Sequence, residues 1–263
     1  MADAVLYEVT DGLAIITLNR PEAMNALNIE AKAALRDAVE SAVSDDSVRA
    51  VLLTAAGERA FCVGQDLKEH IGLLAEGSDS VMSTVSEHYN PITRALTGAA
   101  KPVVAAVNGV AAGAGFGFAL AADYRIVADT ASFNTSFAGV ALTADSGISW
   151  TLPRVVGPSR AADLLLFPRN ISAQDALDLG IANRVVPSAE LRAEALKLAR
   201  TLAEGPTVAY AAIKESIAFG LTHSLTETLD KEDELQTRAG AAEDHRIAVS
   251  AFVNKEKPKY VGR

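Results

Sequence analysis

Two glycine-containing segments of this sequence could present backbone N–H groups to a negatively charged oxygen. Residues 101–123, KPVVAAVNGVAAGAGFGFALAAD, contain Gly113-Ala114-Gly115 after an apolar run. Residues 61–67, FCVGQDL, place Gly64-Gln65 in a similar setting. A glycine turn that opens a helix leaves N–H groups without intrahelical acceptors, and such groups favour anions. Two of them on one oxygen form an oxyanion hole, which stabilises an enolate or a tetrahedral anion.

Other chemistries find little support in the sequence. The glycine spacing at 113–117 is G-x-G-x-G, not the dinucleotide pattern G-x-G-x-x-G, and no Walker A motif is present. No G-x-S-x-G motif marks a serine nucleophile, and no histidine pair has metal-ligand spacing. We interpret the single cysteine, Cys62, as a packing residue. Taken alone, close helix packing explains the glycines as well as anion binding does.

Asp145 is the carboxylate best placed to act beside such a hole. It follows the uncharged stretch 130–144, so it could face an apolar pocket. Desolvation there would raise the pKa of a general base. An aspartate just ahead of a helix is more often an N-cap, and spacing alone favours that interpretation. Asp66 and Asp123 end apolar or uncharged segments, and we interpret both as structural.

Composition excludes several classes of protein. The formal net charge of −9 on 263 residues argues against nucleic-acid binding. One cysteine fits a reducing cytoplasm, and the N-terminus lacks the features of a signal peptide. The uncharged stretch 103–122 is long enough to span a membrane, but Asn108-Gly109 at its centre is typical of a turn. We therefore expect a cytoplasmic protein with no nucleic-acid or membrane partner.

The elements that must position these residues alternate between strands and helices. Apolar runs predict strands at 13–18, 48–55, 103–107 and 124–128, and apolar spacing predicts a helix over 28–44 with Asn28 as its N-cap. Further helices are predicted over 67–75 and 82–97, joined by the polar stretch 76–80, then after Gly113 and within 145–156, 158–167 and 172–179, with a short strand at 185–186. This order predicts an α/β layered fold. Turns that follow neighbouring parallel strands would lie at one edge of the sheet.

The chain becomes helical after residue 188. Helices are predicted over 188–204, 206–219 and 225–254, with Gly205 and Gly220 as breaks and Gly240 interrupting the last helix. This change of pattern places a boundary near residue 200. We therefore predict an α/β core over residues 1–200 and a helical C-terminal region over residues 201–263.

Several motifs together resemble the enoyl-CoA hydratase/isomerase (crotonase) family. They are NRPEAMNAL at 19–27, AFCVGQDL at 60–67, KPVVAAVNGVAAGAG at 101–115 and LGIANRVV at 179–186. The resemblance covers essentially the whole chain. It implies a spiral of ββα units with a helical C-terminal region that builds trimers, often paired into hexamers. It also implies an acyl-CoA thioester substrate and no cofactor, because coenzyme A is part of the substrate.

The resemblance assigns roles to particular residues. The two oxyanion-hole donors fall on the N–H groups of Gln65 and Ala114. The implied substrate contacts are Met24, Ala26, Val63, Gly64, Asp66, Leu67, Lys68, Gly113, Phe116, Phe137 and Val140, with Phe252 and Lys255 contributed by a neighbouring subunit. Phe116 and Phe137 would form the wall of the acyl pocket, and the nucleotide would lie near Met24, Ala26 and Leu67. A solvated surface explains the lysines equally well.

The sequence departs from the family's hydratases at two positions. Gly117 and Phe137 stand where those enzymes carry glutamates. Asp145 matches the catalytic aspartate of some family isomerases and of a dehalogenase, and its surroundings look most like the phenylacetate-pathway isomerases that act on epoxyphenylacetyl-CoA. The resemblance therefore favours Asp145 as the base of an isomerase. The alternatives are a hydratase and a non-catalytic acyl-CoA-binding member.

Overall fold

The computed structural model describes residues 3–75 and 82–263. The predicted polar stretch 76–80 lies outside the described residues. The described chain forms these strands: β1 (Val5–Thr10), β2 (Leu13–Leu18), β3 (Ala50–Ala55), β4 (Ala60–Cys62), β5 (Val103–Val107), β6 (Val110–Ala112), β7 (Tyr124–Ala128), β8 (Ser132–Asn134), β9 (Ile171–Ser172) and β10 (Arg184–Val186).

The strands form two sheets. The larger has the order β1-β2-β3-β5-β7-β10, and only its edge pair β1 and β2 is antiparallel. The smaller has the order β4-β6-β8-β9, in which β4, β6 and β8 are parallel. Strand β5 is buried along its whole length, as expected for a continuous apolar run covered on both faces. The chain thus alternates between the two sheets, which is the ββα spiral implied by the resemblance.

Helices cover the sheets and form the C-terminal part of the chain. They are α1 (Ile29–Ser44), α2 (Leu67–Ala75), α3 (Asn90–Gly98), α4 (Ala114–Ala121), α5 (Ile148–Val156), α6 (Pro158–Leu166), α7 (Ala173–Asp178), α8 (Leu191–Ala203), α9 (Thr207–Gly220), α10 (Leu225–Ala241) and α11 (Glu243–Asn254). Short 3-10 turns lie at Pro21–Ala23 and Phe137–Val140, and a π-helical turn at Val85–Tyr89 leads into α3. No helix within the described residues is both long and apolar enough to cross a membrane.

Three local predictions are confirmed in detail. The Asn28 side chain accepts a hydrogen bond from the Ala31 N–H at 2.9 Å and caps α1. Every residue of α4 is buried, because this helix is enclosed by β4, β6, α3 and α5. Asp123 is structural, as expected, since its carboxylate accepts hydrogen bonds from the Val103 N–H and the Lys214 ammonium.

Other predictions need correction. Strand β1 and the whole smaller sheet were not predicted, because its strands are only two or three residues long. Strand β3 begins at Ala50 rather than at residue 48. The last helix is interrupted at Ala242 and not at Gly240. Residue 200 lies inside α8, which packs on the larger sheet, and the domain boundary there stays a prediction.

Candidate active site

A cavity of about 580 Å³ lies where the two glycine turns meet. Its walls come from the 20–26 segment, the start of α2, the start of α4, the turn at Phe137–Val140 and the segment before α5. The lining residues are Arg20, Ala23, Ala26, Val63, Gly64, Gln65, Asp66, Leu67, Lys68, His70, Tyr89, Ala112, Gly113, Ala114, Ser136, Phe137, Val140, Leu142 and Asp145. Most of the predicted site residues therefore share one cavity.

The first turn leaves the Gln65 N–H without an acceptor. Leu27 forms backbone hydrogen bonds with the two neighbours of Gln65. The Leu27 N–H donates to the Gly64 carbonyl at 2.8 Å, and the Leu27 carbonyl accepts from the Asp66 N–H at 3.1 Å. The Gln65 N–H therefore points away from Leu27, as the alternation of a parallel bridge requires. It donates to no other group in the described part of the chain.

The second turn leaves the Ala114 N–H free in the same way. Ala114 is the first residue of α4, where N–H groups have no intrahelical acceptor. The preceding N–H, that of Gly113, donates to the Asn134 carbonyl at 3.1 Å, but no described group accepts from Ala114. Gly113 has φ of +52°, a backbone conformation that favours glycine.

The two turns lie in direct contact. Strands β4 and β6 are parallel neighbours, with Cys62 opposite Ala111. A methyl group in place of the Gly64 hydrogen would lie 3.2 Å from the Ala114 nitrogen, and one at Gly115 would lie 2.2 Å from the Cys62 carbonyl oxygen. Only glycine permits this approach. The expectation that both turns share one sheet edge is confirmed, although the strands are the short β4 and β6.

Asp145 also lines the cavity, as a half-buried carboxylate. Burial raises its pKa, and the hydrogen bond from the Ser146 hydroxyl, at 2.9 Å, partly offsets that rise. The N-cap interpretation is wrong for its side chain: α5 begins after Gly147 without a side-chain cap, and only the Asp145 carbonyl accepts from the Ile148 N–H. The carboxylate is therefore free to accept a proton from a ligand.

The space beside Gly117 is filled by the segment that carries Asp145. A methyl group at Gly117 would lie 2.6 Å from Ser146 Cβ and 2.8 Å from its carbonyl oxygen. A glutamate at this position would displace that segment. At the other departure from the hydratase pattern, the almost fully buried Phe137 lines the cavity. Phe137 thus gives the cavity an apolar wall at one of these two positions, and Gly117 leaves room for Ser146 at the other.

Tyr89 is a lining residue that the sequence did not reveal. Its hydroxyl donates to Gln65 Oε1 at 2.7 Å, and its ring packs edge-on against Phe118. Burial and then the negative charge of Asp145 raise its pKa, so the phenol is neutral at ordinary pH. The residue ends the π-helical turn before α3, and only the tertiary fold brings it to the two glycine turns.

Charged groups surround the 20–26 side of the cavity. Arg20 pairs with Asp66 at 3.0 Å and donates to the Ala26 carbonyl. Burial alone would raise the pKa of Asp66, but hydrogen bonds from Arg20 and from the N–H groups of Glu69 and Lys68 together lower it. The Asp66 carboxylate therefore supports the start of α2, as predicted. Lys68 is exposed and forms no ion pair within the described residues.

Some predicted contacts do not line the cavity of this chain. Phe116 is fully buried and packs against Phe133 with ring centroids 5.0 Å apart, so it belongs to the core behind the cavity. Its predicted place on the acyl-pocket wall is corrected here. Met24 lies in the turn after Pro21–Ala23, outside the lining set. Phe252 and Lys255 are at the end of α11, also outside the lining set, and the Phe252 side chain is 86% exposed.

Two observations concern chemistries other than oxyanion stabilisation. The Cys62 thiol is fully buried, and this burial raises its pKa to about 12, so it is not a nucleophile. Among the described residues, no group of three or more His, Cys, Asp or Glu side chains could hold a metal ion. His70 lines the cavity instead, with a buried Nδ1 that has no described hydrogen-bond partner.

Comparison with known proteins gives a consistent result. The sequence profile described as enoyl-CoA hydratase/isomerase matches residues 8–263. The 1,2-epoxyphenylacetyl-CoA isomerase of Escherichia coli K12 is 41% identical, over 100% of both chains. A protein of Rhodobacter capsulatus named as a probable enoyl-CoA hydratase is also 41% identical, over 98% of both chains. A crystal structure of a candidate enoyl-CoA hydratase/isomerase from Mycobacterium abscessus is 44% identical, with a TM-score of 0.96 over 99% of this chain and 100% of that one.

Proposed function

The chain belongs to the enoyl-CoA hydratase/isomerase family, and we propose that it isomerises the acyl group of an acyl-CoA thioester. The observation that carries the proposal is the placement of three groups around one cavity. The free N–H groups of Gln65 and Ala114 lie together on one side, and the partly desolvated carboxylate of Asp145 also lines the cavity.

In the proposed first step, the thioester carbonyl oxygen accepts hydrogen bonds from the Gln65 and Ala114 N–H groups. Asp145 takes a proton from a carbon of the acyl group, and the electrons of the broken C–H bond move to the thioester oxygen. The product of this step is an enolate, or a dienolate when a double bond is conjugated with it. Preorganised donors stabilise that charge without any reorganisation during the reaction.

In the second step, the protonated Asp145 returns its proton to a different carbon of the acyl group. The double bond moves and no atom is gained or lost. With an epoxide on the acyl group, the dienolate would instead collapse to re-form the thioester C=O and break one epoxide C–O bond. The electron pair of that bond would go to the epoxide oxygen, which would take the proton from Asp145. Both reactions need one carboxylate acting first as base and then as acid. They need no cofactor, because coenzyme A is part of the substrate.

Hydration of an enoyl-CoA is the alternative within the family. Relatives named as hydratases include the Rhodobacter capsulatus protein and a short-chain-enoyl-CoA hydratase of Clostridium acetobutylicum. Adding water across a double bond normally draws on two acids or bases, whereas Gly117 and Phe137 supply none. We therefore place isomerisation ahead of hydration. A non-catalytic acyl-CoA-binding protein would have no use for a partly desolvated Asp145.

The charges around the 20–26 side suit the phosphates of coenzyme A. We propose that Lys68 and Arg20 face them, with the adenine near Met24, Ala26 and Leu67. The remaining acyl contacts would come from Val63, Gly64, Gly113, Phe137 and Val140. Phe252 and Lys255 would act on the cavity of a neighbouring subunit, which fits the exposure of Phe252.

The proposed assembly is a trimer, or a hexamer of two paired trimers, in the cytoplasm. The C-terminal helices expose large apolar side chains that a monomer would leave in water: Ile213, Ile217, Leu221, Leu225, Leu229, Val249, Phe252 and Val253. Exposed apolar surface of this extent is typical of a protein interface. Light scattering coupled to size-exclusion chromatography tests this part of the proposal.

A substrate screen in deuterated water tests the reaction itself. The protein is incubated with a 3-enoyl-CoA and with crotonyl-CoA, and the products are analysed by mass spectrometry. An isomerase gives a shifted double bond with deuterium in the acyl chain and no gain of water. Hydration of crotonyl-CoA without isomerisation would support the hydratase instead. Binding without exchange or turnover of any acyl-CoA would support the non-catalytic alternative.

A further inference from the structure

The side chain of Gln65 has a defined orientation in the cavity. Its Oε1 accepts the hydroxyl proton of Tyr89 at 2.7 Å. A carboxamide oxygen can only accept a hydrogen bond, so the phenol is the donor of this pair. The carboxamide oxygen is therefore occupied, and the NH₂ group is turned away from Tyr89.

That NH₂ group has no acceptor in the described part of the chain. Gln65 is half-buried and lines the cavity. The neighbouring walls are largely apolar, with Val63, Ala112, Phe137, Val140 and Leu142 among the lining residues. This nitrogen is open to water in the protein alone. A ligand that displaces the water would leave the donor unpaired, which is costly unless the ligand supplies an acceptor. The fixed carboxamide indicates that the partner arrives with the ligand.

We propose that the Gln65 side chain, positioned by Tyr89, donates a hydrogen bond to an oxygen atom carried on the acyl group, beyond the thioester. The substrate class would be acyl-CoA thioesters with an epoxide, ether, hydroxyl or ring oxygen. This inference rests on the proposed acyl-CoA function and adds a specificity element to it. The Gln65 backbone N–H serves the thioester oxygen, and its side chain serves the second oxygen.

Tyr89 is a positioning residue in this account. A glutamine side chain has three rotatable bonds, and ordering it costs conformational entropy. The hydrogen bond from the neutral Tyr89 orders the Gln65 carboxamide before the ligand binds. The conformational entropy of this side chain is therefore lost during folding and not during binding. A purely structural role is the competing explanation: the Tyr89–Gln65 hydrogen bond would only fasten the turn before α3 to the first glycine turn.

A binding experiment separates the two explanations. The ligands are hexanoyl-CoA and three analogues in which an ether oxygen replaces the methylene at position 3, 4 or 5 of the acyl chain. Dissociation constants are measured by calorimetry for the wild type, Gln65→Met, Tyr89→Phe and a control, Val140→Ala, which changes only an apolar wall. For each variant, the loss of affinity for each ether analogue is divided by the loss for hexanoyl-CoA.

The proposal predicts that Gln65→Met weakens at least one ether analogue on the order of tenfold more than hexanoyl-CoA, as expected for one lost hydrogen bond. Tyr89→Phe should show a smaller selective loss on the same analogue, and Val140→Ala none. Ratios within twofold for all three analogues, in both Gln65→Met and Tyr89→Phe, would overturn the proposal and leave the structural role. Thermal melts confirm that each variant is folded.

This experiment measures binding and not turnover, so its result does not depend on the isomerase reaction. A selective loss in Gln65→Met would support the specificity element even if the reaction proved to be hydration. Conversely, if the wild type is a confirmed isomerase and Gln65→Met loses equal affinity for all four ligands, the specificity role of the Gln65 side chain is contradicted and the proposed function stands.

Discussion

Gly117 of α4 is in direct contact with Ser146, since a methyl group at position 117 would lie 2.6 Å from Ser146 Cβ. The helix that presents the Ala114 N–H therefore also supports the segment that presents Asp145. One helix therefore helps to position two groups that the proposed reaction needs. The missing side chain at 117 is thus part of the site, because it creates the space in which Ser146 packs.

Substituting Gly117→Ala should move the Asp145 segment and lower turnover. We expect kcat to fall at least about tenfold, since a small misplacement of a catalytic group is costly. Overpacking should also reduce the free energy of unfolding by about 1–3 kcal/mol. Gly98→Ala is the matched control, because nothing lies within 4 Å of its added methyl group. Wild-type turnover in Gly117→Ala would show that this contact does not position Asp145.

The Ser146 hydroxyl should affect the pH dependence of turnover. Its hydrogen bond lowers the pKa of Asp145 against the larger, raising effect of burial. Ser146→Ala removes the lowering contribution, so the pKa of Asp145 should rise further. Because the base acts when deprotonated, the acid limb of the kcat/KM profile should move to higher pH. An unchanged acid limb would contradict the assignment of that limb to Asp145.

Removing the Ala114 N–H should impair the oxyanion hole. Proline is tolerated at the first position of a helix, which Ala114 occupies, so Ala114→Pro deletes the donor at a suitable backbone position. We expect kcat to fall about 10²–10³-fold, as for the loss of one oxyanion donor. Ala114→Ser keeps the N–H and is the control. Equal losses in both variants would mean that the side chain, not the N–H, is responsible.

The ionised Asp145 carboxylate should lower the free energy of unfolding at neutral pH. Burial raises its pKa in the folded state above the unfolded value, so the folded state binds more protons between those two values. Stability is therefore lost as pH rises through this window, and the cost is fully present above the folded pKa. We expect Asp145→Asn to be more stable than the wild type at pH 7.5, with a difference that shrinks toward pH 4. Denaturant titrations at the two pH values measure this. A variant less stable than the wild type at pH 7.5 would contradict the desolvation of this carboxylate.

Local sequence signals predicted the parts of the fold that local physics determines. The Asn28 cap, the amphipathic α1 and the uncharged α4 each follow from residues near one another in the chain. The adjacency of the two glycine turns was also predictable from strand order. The smaller sheet was not, because strands such as β4 and β6 are three residues long and rich in small side chains. Their pairing is set by tertiary packing.

In the candidate site, too, residues in local motifs were predicted and residues that depend on long-range contacts were not. Gln65, Ala114 and Asp145 lie in recognisable motifs, and all three line the cavity. Tyr89 and Arg20 were missed, because their roles come from contacts with Gln65 and Asp66 that are distant in sequence. The prediction for Phe116 relied too much on its position in the sequence. Its closeness to Ala114 in sequence suggested the cavity wall, but the turn of α4 directs its ring into the core against Phe133.

The central claim is that Asp145 moves the proton, and Asp145→Asn in deuterated water tests it most directly. The substrate is the 3-enoyl-CoA isomerised by the wild type, and the readout is deuterium in the acyl chain together with the rate of double-bond migration. Loss of a general base typically costs about 10²–10⁴-fold, so both signals should fall by that factor while acyl-CoA binding persists. Full isomerisation and exchange by Asp145→Asn would contradict the account.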